Sequence, residues 1–155
     1  MFVPYETEAS VALNTIDAFN KMKTLVGVWQ KEGGNNPNFS ISFELTANNS
    51  VLVETWLHKG KSHSLTVYHL NSGNLMATHY CPQGNQPRLE LTKNSTIRNL
   101  SFDFLDATNL DSLADPHQHS LGFEFLNENH KVRRKESYLS KSGEDMSELI
   151  LVKSK

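Results

Sequence analysis

The chain has 155 residues, enough for one domain with an apolar core and no need of disulfide or metal staples. Its 15 Lys and Arg against 17 Asp and Glu leave a net charge of -2, which excludes a broad electrostatic drive toward nucleic acid or an anionic membrane. The one cysteine, Cys81, excludes an internal disulfide framework and suits a reducing compartment.

Met1–Glu6 lacks the basic and apolar regions of a leader, and no later run reaches the roughly 18 apolar residues of a membrane span. A soluble cytoplasmic protein is therefore expected, a monomer or homodimer with no nucleic-acid or membrane partner. Residues 10–26 carry Val11, Leu13, Ile16, Phe19, Met22 and Leu25 at helical spacing, with Ser10 as N-cap, and predict one amphipathic helix. After Gly27 the pattern changes to short β-rich runs divided by Gly, Asn, Asp, Pro and Ser clusters. Strands are expected near 27–32, 38–46, 50–58, 62–70, 74–81, 87–92, 97–104, 118–127, 131–139 and 145–153.

Ten strands joined by short turns form an antiparallel meander, and closing it into an up-and-down barrel removes its edges. The fold class is thus mainly β: a single domain over 1–155, with the helix near 10–26 and the barrel near 27–153. Alternation in 39–45 and 121–125 puts Phe39, Ile41, Phe43, Leu45 and Phe123 on the buried face. Residues 106–116 read as a rim loop. The alternating charges of Lys131-Val132-Arg133-Arg134-Lys135 suit an exposed, solvated strand.

The stretch from Thr78 to Arg88 brings an imidazole, a phenol, the thiol, two amides and a guanidinium into one corner, a recognition inventory without a catalytic pairing. Arg88 suits a carboxylate or phosphate held by two parallel bonds, unless a carboxylate of the chain itself (Glu54, Glu90, Asp103 or Glu124) takes it. His69, His79, Tyr80, Asn85, Gln86, Arg88 and His119 form the expected ligand-binding set. His117, His119 and His79 are the metal candidates, because His117-Gln118-His119 offers two imidazoles on one face, although no carboxylate completes a signature. Cys81 with His79 two residues away lacks an acid to orient the base, and no Gly-x-Ser-x-Gly elbow is present. Trp29, Trp56, Tyr68 and Tyr80 are expected to line the core or barrel.

Gly27-Val28-Trp29 directly after the helix resembles the lipocalin-like members of the calycin superfamily, where the Trp packs across the closed end of the barrel. Together with Val67-Tyr68-His69-Leu70, Thr78-His79-Tyr80-Cys81, Gly84-Asn85-Gln86-Pro87-Arg88 and Asp106-Ala107-Thr108-Asn109, the order and spacing are similar to a family of small bacterial lipocalin-like proteins over about residues 18–153. That resemblance implies the fold, since the family carries no established activity. A nitrobindin-like haem barrel lies nearby, but the glycine-rich opening of that family does not follow Trp29. The expectation is a non-enzymatic protein without a cofactor that binds a small amphipathic or hydrophobic ligand, with an acid head group the natural guess. The alternative is an enzyme, or a metal or haem protein, built on the same histidines.

Overall fold

The computed structural model describes residues 12–127 and 129–155. Ten antiparallel strands follow one helix: α1 (Thr15–Lys23), β1 (Gly27–Lys31), β2 (Phe39–Thr46), β3 (Val51–His58), β4 (Lys61–Asn71), β5 (Asn74–Tyr80), β6 (Gln86–Leu91), β7 (Asn99–Thr108), β8 (His117–Asn127), β9 (Lys131–Ser140) and β10 (Gly143–Lys153). Each strand pairs with the next, and β1 pairs with both β2 and β10, so the sheet is a closed barrel. Trp29 sits at the closure, opposite Ile41 on one side and Lys153 on the other.

Local chemistry sets these boundaries. The hairpins β3–β4 and β4–β5 turn through Lys59-Gly60 and Ser72-Gly73, with φ of 51° and 72°, and of 49° and 87°. Two consecutive positive φ values give the turn twist that matches flanking strands, and Gly takes the second position without penalty. The helix begins later than its hydrophobic spacing predicts. Asn14 caps it, its side chain accepting the Ile16 N–H at 2.8 Å, and Ala12 and Leu13 lie outside the helix. Ser10, Val11 and Met1–Glu6 lie outside the described residues, as does Glu128 of the β8–β9 turn. The expected rim loop is shorter, because β7 continues to Thr108.

Helix α1 closes one end. It buries Ala18, Phe19 and Met22, and Thr15 Oγ1 donates to Gly73 O at 2.9 Å in the β4–β5 turn. Trp29 is 1% exposed and donates its indole N–H to Leu25 O at 2.7 Å. Lys153 lies over the Trp29 ring and donates to Thr24 O at 3.2 Å, satisfying a carbonyl just past the helix. Next to this plug Ile41, Phe43, Leu52, Leu75, Leu100, Phe102, Phe123, Val132 and Leu151 fill the interior. Ile41, Phe43 and Phe123 are fully buried as their alternation predicts, while Phe39 and Leu45 are partly buried at the core margin. Among the described residues no helix is long and apolar enough to cross a membrane.

Candidate functional site

Beyond that apolar half the barrel interior becomes polar. The alternation of β9 sends Val132, Arg134, Glu136 and Tyr138 inward and leaves Lys131, Arg133 and Lys135 on the outer face. Register fixes this, since Arg134 lies opposite Phe123 and Glu136 opposite Leu121. The expected solvated face is therefore only half of the strand: Arg134 is 2% exposed. Alternating charges look the same whether every second residue meets water or a buried partner, and here the partner is Glu54, fully buried on β3.

Arg134 Nη2 lies 2.8 Å from Glu54 Oε1, close but out of line for a hydrogen bond, while Nη1 donates to Glu136 Oε2 at 2.9 Å. Glu54 also accepts from the Trp56 indole and the Tyr68 hydroxyl, each at 2.7 Å, and Gln118 Nε2 donates to Glu136 at 3.0 Å. The guanidinium stacks 4.8 Å from the Trp56 ring centroid and 5.8 Å from that of Phe123. Burial alone would push the guanidinium toward losing its proton, but Glu54 and Glu136 outweigh it and hold Arg134 firmly charged. Burial likewise pushes the Glu136 carboxyl up. Arg134 and the Gln118 hydrogen bond overcome it and hold the group below its ordinary range. Tyr68 is pushed well above the phenol range by burial first and Glu54 second.

His79 continues the network toward the end opposite α1. It is 3% exposed, with Nδ1 2.9 Å from Thr66 Oγ1 and Nε2 3.2 Å from the Tyr138 hydroxyl. Burial, reinforced by the nearby Arg134 charge, lowers its pKa to about 4, so the ring is neutral at pH 7. Tyr138 is raised above its ordinary range, mainly by burial, then by Glu136 and Cys81.

The expected site residues divide by strand alternation. His79, Asn85 and His119 lie within the barrel or its mouth, whereas Tyr80, one residue on from His79, stands outside at 49% exposure. His69 alternates with the buried Tyr68, bonds Leu70 O and faces a groove between α1 and the β2–β3 turn. The hairpin register sets Thr66, not His69, opposite His79. Arg88 is exposed and grips Asp106 in a two-point fork, a carboxylate other than the four expected; Glu54 is already held by Arg134. Gln86 bonds Gly84 O and accepts from Thr108.

The end of the barrel opposite α1 carries a further group. A bulge lies between Gln118 and Ser120, and the His117 and His119 rings stand edge-to-face with centroids 5.7 Å apart. His117 and Gln118 are fully buried, and Phe104 packs against both imidazoles with centroids at 4.7 and 5.6 Å. Asn85, 5% exposed, ties in by donating to Pro116 O at 2.9 Å. Asn85 Oδ1, His117 Nε2, Gln118 Oε1 and His119 Nδ1 are buried with no hydrogen-bond partner among the described residues. Such atoms are rare in a folded interior, where leaving one unpaired costs about 1–3 kcal/mol. The described residues bring together no group of three or more His, Cys, Asp or Glu arranged to hold a metal ion, so His79 does not join His117 and His119.

The chain matches no family model and no curated protein. The fold and this geometry carry the functional reading.

Proposed function

We propose that this is a lipocalin-like binding protein, akin to the bacterial calycin barrels its motifs resemble, that takes a small amphipathic ligand at the open end of its barrel. The closed barrel is compatible with such a role. One observation carries the reading: at the end of the barrel opposite α1, four buried side-chain atoms, from Asn85, His117, Gln118 and His119, have no partner in the described chain. A polar group in such a place needs a ligand or ordered water. Phe104 offers an apolar wall beside them, and His79 with Tyr138 lies deeper on the same side of the network. Apolar burial would supply affinity and the few fixed polar atoms would select orientation.

Arg88, held by Asp106 on the outer surface, has no part in this reading. Cys81 is a free, buried thiol, which suits the cytoplasm as the setting. Native mass spectrometry of the protein purified from cells tests the proposal, with Gln118→Leu run alongside. An organic mass that co-purifies with the parent and drops out of the variant is the expected result. A bare chain from cells, together with unchanged mouth signals against a broad amphipathic panel, overturns it.

A further inference from the structure

The β7–β8 hairpin is zipped only at its base. Its ladder ends at Asp103 opposite Ser120, although β7 runs on to Thr108 and β8 starts at His117. Over the remaining stretch β7 stays paired with β6 as far as Thr108, and β8 with β9 as far as His117, so the two strands part from each other while each keeps its other neighbour. Both of those ladders carry an irregularity at this level, at Arg88/Leu89 and at Gln118/Ser120, and a bulge bends its strand and increases the local twist.

Residues 109–116 join the parted ends as a strap. Its centre is stitched to itself: the Asp115 N–H donates to Ser112 O at 2.9 Å, the Ser112 N–H to Asp115 Oδ2 at 3.1 Å and the Ala114 N–H to Ser112 Oγ at 3.1 Å. Its two ends are held at one place, the β5–β6 turn, by side-chain amides. Asn109 Nδ2 donates to Gly84 O, and Asn85 Nδ2 donates to Pro116 O at 2.9 Å. Just past the strap, His117 Nδ1 lies 2.7 Å from Asp115 O. No residue from 109 to 116 is buried, and Leu113 is 65% exposed. A segment held by a few hydrogen bonds, without a ladder or core contacts, opens at a free energy well below that of the whole fold.

We infer that the strap 109–116 is a gate at the end of the barrel opposite α1, latched to the β5–β6 turn by the side-chain amides of Asn85 and Asn109. The stitched centre moves as one piece. Asn109, in the left-handed region at φ 52°, stands where the chain leaves β7 and serves as one hinge. Lifting the strap takes the Asp115 carbonyl away from His117 and opens a way to a ring that is fully buried in the closed form. Use of the gate by a ligand rests on the binding reading above. The opening itself does not, and it is measured with no ligand present.

The test is carbethoxylation of the full chain by diethyl pyrocarbonate at pH 7, followed histidine by histidine with peptide mass mapping. His58 and His63, both exposed, report the activity of the reagent, and His79, 3% exposed within the barrel, reports global unfolding. His117 in the parent should react at least about tenfold faster than His79, because the strap opens more often than the barrel unfolds. Asn109→Ala and Asn85→Ala should each raise the ratio of the His117 rate to the His79 rate about three- to tenfold, the worth of one hydrogen bond. The ratio holds its meaning in a less stable variant, since global unfolding exposes both rings together. A His117 rate no greater than that of His79 in all three proteins means that the strap opens only with the whole barrel, and overturns the gate. A ratio that either substitution leaves unchanged overturns the latch. A raised ratio beside a bare chain in native mass spectrometry removes the ligand and leaves the gate standing.

Discussion

Removing Arg134 is the sharpest test of the buried network. Arg134→Met keeps length and apolar volume but strips Glu54 and Glu136 of their cation where Arg134 and Glu54 are 2% and 0% exposed. Breaking a buried ion pair from one side costs about 3–5 kcal/mol, because a charge is left without compensation. For a chain of this size each kcal/mol moves Tm by about 2–4 °C, so a fall of roughly 6–20 °C is expected at pH 7. The pH dependence follows from Glu136. In the parent its carboxyl is held below 4.5, so its contribution is present above that pH and is lost as pH falls through the lowered value. In the variant burial acts unopposed and raises the same group, so the penalty is greatest near neutrality and relaxes in acid. Differential scanning calorimetry at pH 7 and pH 4 should therefore show the gap between the two proteins closing. Adding Glu54→Gln and Glu136→Gln to Arg134→Met should recover most of the loss, since a neutral network needs no cation. A Tm within about 2 °C of the parent at pH 7, or a gap that stays constant down to pH 4, would refute the coupling described here.

His79 should titrate near pH 4 by NMR, and its depressed value makes stability fall as pH drops from 6.5 toward 4, by roughly 3 kcal/mol in all. His79→Gln should flatten that stretch of the stability curve, and an unchanged slope would remove His79 as its cause. Arg88→Ala should leave Tm unaltered at moderate salt, because the pair with Asp106 is open to water. Gly27→Ala should destabilise by about 1–3 kcal/mol in urea titration, since φ is 132° and an added Cβ would stand 2.7 Å from Lys153 Cε. Equal midpoints would show that Lys153 swings aside and the backbone relaxes.

Strand placement was legible because the turn chemistry is local. Asn-Asn, Lys-Gly and Ser-Gly pairs mark hairpins whatever the rest of the chain does, and the ten expected strands all appear with small boundary shifts. The helix start was less legible, since apolar spacing runs on through Leu13 while the hydrogen bond at Asn14 decides where the helix begins. Facing direction was legible only where one face is apolar. Phe43 and Phe123 announce themselves, but His69 and His79 depend on a register set by a turn between them, and the bulge after Gln118 left no mark in composition. Arg134 was the largest omission. The available signal was Val132 and Tyr138 two residues before and four after it on the same face, and Glu54 between Leu52 and Trp56; what joins them is barrel closure, which brings β3 and β9 across the interior.

Closure also orders events in time. Lys153 meets Thr24 across 129 positions of sequence, and the β1–β10 ladder that zips the barrel uses Leu151, Val152 and Lys153. During synthesis the first strand must wait until β10 has left the ribosome, carrying an open edge meanwhile, and contacts so distant in sequence slow folding. Loss of only those last few strand residues would leave two unpaired edges on an otherwise finished sheet, making nascent or clipped chains the form most prone to self-association.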